Sequence, residues 1–257
     1  MISRPRIVGF VCRWSLPLEV GAPIASHIPG YPKVRLVRVP CIGRIDPVIV
    51  IQTFSKGADG VLMISCDHPD CHYVNGDTQG QRTVKILGKL ISLAGLDSTR
   101  LRLLSYSRQE RRNFGRQVKG FFEEIGRLGT MSLDSTQSNS NLAINMLAAE
   151  NAVSDFRLRV LLGREEELTE IANSFGEKIL SEEFEGITNE IVKEEFVRHK
   201  IQVLTKAKPL SVKILAEVTG MKTSKVLEHI VDMRRKNMIA LDHIEGTTPL
   251  YKASVVG

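Results

Sequence analysis

A chain of 257 residues with 42% apolar side chains can build one large domain or two ordinary ones, and its composition excludes wholesale disorder. No apolar run is long enough to span a bilayer, and Met1-Ile-Ser-Arg-Pro-Arg6 lacks the apolar core of a signal peptide, so a cytoplasmic protein is expected. The formal charge of +6 favours acidic partners only weakly, and four cysteines in a reducing compartment argue against disulfides.

The first predicted strand, Ile7–Cys12, ends in a cysteine. Trp14, the only tryptophan, is either a core anchor or a shield that keeps water off a group bound beside Cys12. The segment to Pro32 is interrupted by Gly and Pro and predicts no regular element. The second strand, Val34–Val39, alternates apolar residues with Arg35 and Arg38, and Cys41 follows it. Asp46 is a good N-cap and Pro47 suits a first helical position, which predicts a helix over Pro47–Lys56 that stops at Gly57. The apolar run Val61–Ile64 predicts a buried third strand. It delivers Cys66, Asp67, His68, Asp70, Cys71 and His72 to the loop at its carboxyl end. A helix from Arg82 to Leu93, a strand over Leu101–Ser107 and a basic amphipathic helix over Arg108–Leu128 complete this half. The alternation predicts a parallel sheet with helices on both faces.

If the first three strands are parallel neighbours, their carboxyl ends line one edge, outside which open α/β sheets hold ligands. Cys12, Cys41, Cys66 and Cys71 then converge. Four convergent thiols point to a metal or an iron–sulfur cluster. Structural zinc usually takes closely spaced cysteine pairs, which only Cys66 and Cys71 approach. Thiolates from scattered loops suit a [2Fe–2S] or [4Fe–4S] core. Thiols packed as small hydrophobes are the plain alternative, which suits one cysteine better than four at one edge. His68 and His72 either replace a thiol as ligand or donate hydrogen bonds to the sulfurs and cap the loop. Asp67 and Asp70 shape the turn. There is no nucleophile–base pairing, no P-loop and no G-x-G-x-x-G after the first strand, so no dinucleotide is expected.

The polar stretch Gly129–Asn141 reads as a domain boundary. Beyond it, helices are predicted over Leu142–Leu162 and Glu165–Ser174, separated at Gly163 and free of cysteine and histidine. Then come a helix over Glu190–Lys206, a short helix over Ser211–Val218, a turn at Thr219–Thr223 and a helix over Ser224–Lys236. Met238–Leu241 and Pro249–Lys252 flank Glu245-Gly246 as a hairpin, which makes the ending a winged helix-turn-helix. The expected domains are 1–129, 130–188 and 189–257. Lys222, Lys225, Arg234, Arg235 and Lys236 offer contacts to phosphates, but Glu228 and Asp232 interrupt that face. Winged helices also dock proteins.

Several segments resemble, in order and at matching intervals, the delta (iron–sulfur) subunit of methyl-viologen-reducing hydrogenase. They are Gly9-Phe-Val-Cys12-Arg-Trp14, Val37-Arg-Val-Pro-Cys41-Ile-Gly43-Arg44-Ile-Asp46-Pro47, Gly57-Ala-Asp-Gly60-Val, and Cys66-Asp-His-Pro-Asp70-Cys71-His72-Tyr73 with Gly76 and Arg82. The resemblance covers about the first half of the chain. It implies a flavodoxin-like fold and one [2Fe–2S] cluster, with Cys12, Cys41, Cys66 and Cys71 as ligands and Trp14, Ser15, His68 and His72 around them. It also implies a non-catalytic electron-transfer subunit. Its partners would be a hydrogenase or dehydrogenase subunit and a heterodisulfide-reductase-like flavoprotein. The family's first motif normally carries a further cysteine at the position of Ser15, and often one at that of Val11. The winged-helix tail lies outside the family core. Two other readings stand beside this one: an iron–sulfur redox sensor that controls a winged-helix DNA reader, and a zinc-stabilised scaffold.

Overall fold

The four apolar runs of the first half form the strands β1 (Ile7–Cys12), β2 (Val34–Val39), β3 (Gly60–Cys66) and β4 (Leu101–Tyr106). The computed structural model describes residues 5–16, 34–67, 70–106, 111–131, 141–172 and 174–254. These residues belong to two compact units, Met1–Ser138 and Asn139–Gly257.

Among the described residues, the first unit is a parallel sheet in the order β2-β1-β3-β4. That is the order of the first four strands of a flavodoxin-like sheet, and it reverses direction between β1 and β3. Every residue of β3 is buried, as a central strand covered on both faces requires. On one face, Leu62 and Ile64 join Val11, Leu104, Phe121 and Ile125 in a core built on α3 (Arg111–Leu128). The alternate residues of β3, Val61 and Met63, point the other way. There α1 (Pro47–Ser55) and α2 (Gly76–Leu93) pack against β3 and each other. The Asp46 carboxylate accepts the Val48 amide at 3.0 Å, which is the expected cap of α1.

Helix α2 starts at Gly76, well before the expected Arg82. The run Gly76-Asp-Thr-Gln-Gly80 reads as a loop by composition. It is helical because its two glycines lie against the short 3-10 turn Ile42–Arg44. A Cβ on Gly80 would meet Ile42 Cγ2 at 2.8 Å, and one on Gly43 would meet Gly76 Cα at 2.9 Å. The close approach holds the start of the helix beside the loop that carries Cys41.

In the second unit, α4 (Asn141–Ser154) is followed directly by α5 (Phe156–Thr169). The expected break at Gly163 does not occur. It falls at Asp155, whose carboxylate accepts the Arg157 amide at 2.8 Å and starts a new helix. Helix α6 (Ser181–Ala207) begins nine residues earlier than Glu190, with Glu182 and Glu183 favouring its positive N-terminal end. It packs against α4 and α5, and also against β7 below. After β5 (Leu210–Ser211) come α7 (Val212–Thr219) and α8 (Thr223–Arg235), and then β6 (Ile239–Glu245) and β7 (Thr248–Ala253). The three strands form an antiparallel sheet in the order β5-β7-β6. Gly220, at φ 69°, ends α7 in the left-handed conformation that glycine tolerates best. No helix among the described residues is long and apolar enough to cross a membrane.

Candidate functional site

Strand register brings the site together. Val11 of β1 lies opposite Ile64 of β3, so the next residues on each strand approach the same edge. Cys12 ends β1 and Cys66 ends β3, at the point where strand order reverses. Their sulfurs are 3.4 Å apart. The Cys12 thiol also faces the Pro40 carbonyl at 3.7 Å, in the loop that leads to Cys41.

The other two thiols meet at the start of α2. A methyl group on Gly76 would sit 2.5 Å from Cys41 Sγ and 3.4 Å from Cys71 Sγ. Only glycine leaves room for both sulfurs there. The four cysteines are free and buried; Cys12 and Cys66 are in contact, and Cys41 and Cys71 both lie beside Gly76.

The site offers donors to sulfur. Backbone amides of Gly43 and Arg44 point at Cys41, and the His72 amide points at Cys66. The N-terminal end of α2 adds the positive end of its dipole beside Cys41 and Cys71. Burial nevertheless dominates the thiols in isolation. It pushes Cys41 up, and it raises Cys66 to about 12, helped by the Cys12 thiol at its side. Cys41 and Cys66 therefore hold their protons, unless a cation takes the protons' place.

Beside the sulfurs runs an aromatic stack. Trp14 lies flat on His72, with ring centroids 3.6 Å apart and planes 17° from parallel. His72 meets Tyr73 edge-on at 4.9 Å, and the Arg44 guanidinium lies 5.2 Å from the Tyr73 ring. Trp14 is 51% exposed, so it is a cover and not a core anchor. Ser15 is buried and donates its hydroxyl hydrogen to the Cys12 carbonyl at 2.8 Å, closing the turn after β1. His68 lies outside the described residues. Val74, just past the stack, has φ 67°, a strained conformation for a β-branched side chain.

Composition alone gave no sign of the Tyr73 and Arg44 contacts, or of the backbone amides that serve the sulfurs. The pair Gly43 and Gly76, each beside a cysteine loop, was the available signal for a crowded site. A second group of metal-ligand residues, Asp155, Glu195 and His199, shows in the sequence only as Glu195 and His199 one turn apart on α6, because Asp155 comes from the start of α5.

Residues 7–129 match the family model described as "Methyl-viologen-reducing hydrogenase, delta subunit". An F420-non-reducing hydrogenase iron-sulfur subunit of Archaeoglobus profundus is 33% identical over 130 residues, 51% of this chain and 95% of that protein. The vhc iron-sulfur subunit of the F420-non-reducing hydrogenase of Methanococcus voltae is 31% identical over 129 residues, 50% of this chain and 90% of its own length. A subunit of the Ferredoxin/F(420)H(2)-dependent CoB-CoM heterodisulfide reductase of Methanosarcina acetivorans is 32% identical over 133 residues. The match takes in 52% of this chain but spans only 17% of that longer protein.

Proposed function

Because the chain belongs, through residues 7–129, to the methyl-viologen-reducing hydrogenase delta-subunit family, we propose that it is a non-catalytic electron-transfer subunit holding one [2Fe–2S] cluster on Cys12, Cys41, Cys66 and Cys71. The observation that carries this reading is the delivery of four buried thiols to one edge of the sheet. A two-iron core needs a pair of thiolates on each iron. A single tetrahedral zinc needs all its sulfurs about 3.8 Å apart, given bonds of about 2.3 Å. Among the described residues, no three cysteines have sulfurs within 4.8 Å of one another, which does not suit a single tetrahedral zinc.

When bound, such a cluster supplies a one-electron couple. The chain's own groups do the rest. The amides of Gly43, Arg44 and His72 donate to sulfur and stabilise negative charge there. The Trp14–His72 stack covers one flank and limits water. Ser15 fixes the turn that presents Cys12, because its hydroxyl hydrogen is committed to a carbonyl.

The names of the relatives support a place between a hydrogenase or dehydrogenase module and a heterodisulfide-reductase-like flavoprotein. The elements from α6 to β7 read as a winged helix that docks to a partner protein. Charge on α8 favours this over a DNA-reading role. Lys225 is held by Glu228 at 2.7 Å, and Arg235 lies 3.9 Å from Asp232. Cations already paired on their own helix have less to offer phosphates.

Iron and sulfide analysis with electron paramagnetic resonance on anaerobic, dithionite-reduced protein tests the reading. Two irons, two sulfides and a reduced [2Fe–2S] signal are expected. Stoichiometric zinc with no iron, or salt-dependent binding to duplex DNA, would overturn it in favour of a scaffold or a regulator.

A further inference from the structure

The second unit contains one group of three metal-ligand side chains among the described residues, and the proposed electron relay does not use it. Asp155 caps α5, while Glu195 and His199 lie one turn apart on α6. Their ligand atoms all fall within 4.8 Å of one another. Glu195 is 1% exposed and His199 is 7% exposed.

An independent feature points to a missing cation. His199 Nδ1 lies 3.2 Å from Gln202 Oε1. That oxygen can only accept, so Nδ1 donates to it. His199 Nε2 is buried and has no hydrogen-bond partner. It faces Asp155 Oδ2 at 3.5 Å. A buried ring nitrogen and a carboxylate oxygen at this distance need a positive centre between them, and a metal ion supplies one. The spacing matches the edge of a tetrahedron with bonds of about 2.1 Å, which is about 3.4 Å.

The neighbouring charges leave room for a cation. Arg157 bonds to Glu194 at 3.0 Å and to Glu195 at 3.1 Å. Arg198 bonds to the same two carboxylates, at 3.3 Å and 2.5 Å. Two guanidiniums are thus matched by two glutamates, and Asp155 keeps a net charge. The Arg157 and Arg198 bonds also fix the Glu195 carboxylate in place, as outer partners of metal ligands do.

We propose that Asp155, Glu195 and His199 bind a divalent transition-metal ion of the zinc type, which clamps α5 to α6. One imidazole and two carboxylates suit zinc better than magnesium or calcium, which take oxygen ligands.

Co2+ reports the site in the full chain, because the two candidate metal sites differ in donor chemistry. Co2+ on thiolates has a strong near-ultraviolet charge-transfer band, whereas Co2+ on nitrogen and oxygen has only weak visible bands. Titration of anaerobic wild-type protein and of Cys66→Ala is expected to fill a saturable site without the thiolate band in both. Asp155→Asn, which preserves the helix cap, and His199→Gln should each weaken that component at least ten-fold. Zn2+ should displace the bound Co2+. Absence of the thiolate-free component, or its persistence in both folded variants, would overturn the proposal. The group would then be a proton-bridged His–Asp pair.

Discussion

The two edges of the parallel sheet bury polar groups in opposite ways. At the amino edge, Asp59 is fully buried just before β3. Its carboxylate accepts the Arg6 amide at 2.6 Å and the Met131 amide at 2.5 Å. Arg100, just before β4, donates to the carbonyls of Asp59, Leu128 and Gly129. Each donor and acceptor there has a partner within the protein, so the network is scaffolding. At the carboxyl edge, the buried thiols mainly face one another. Thiols gathered beside backbone amide donors are suited to a cation that would replace their protons. Burial therefore does not separate structure from function at this sheet, but the completeness of the partner set does.

Cys66→Ala gives the largest contrast. It should reduce bound iron at least ten-fold and abolish the visible iron–sulfur absorption, while circular dichroism of the protein stays unchanged. Retained stoichiometric iron would remove Cys66 from the ligand set. Asp59→Ala should do the reverse. It strands two buried amides, which costs about 3 kcal/mol. A denaturant midpoint should fall accordingly, with the iron content of the folded fraction unchanged. If the iron fell with the stability, the two edges would be coupled.

The third contrast is in pH dependence. In metal-free protein the Cys66 thiol is raised from 9.0 to about 12, chiefly by burial. Above pH 9 the unfolded chain releases this proton while the folded chain keeps it. Stability should therefore be flat with respect to this group below pH 9 and should fall as pH rises from 9 toward 12. Denaturation curves across that range check the sign, and the slope should shrink in Cys66→Ala.

Much of the first unit was legible in the sequence because strand signals are local. The bounds of β1 and β2 matched the expectation from apolar runs and their flanking residues. The approach of Cys12 to Cys66 followed from strand order. The early start of α2 was not legible, because Gly76 and Gly80 look like loop residues until Ile42 and Gly43 are seen against them. The break at Asp155 was misplaced because Gly163 attracted it, although Ser154-Asp155 is itself a helix-start signal. The Asp155, Glu195 and His199 group depends on α5 folding onto α6, which no local pattern announces. Glu195 and His199 at i, i+4 were the part that could have been read.

The Cys12–Cys66 contact also orders events in time. The two residues are 54 positions apart, and their sulfurs meet only after β1 and β3 have paired side by side. Cys41 and Cys71 come from two further loops, held together by the start of α2. A nascent or unfolded chain would offer scattered thiols, whereas the paired sheet offers a finished receptor. Delivery of the proposed cluster would therefore require the folded domain. Errors in strand pairing would appear first as chains that fail to load.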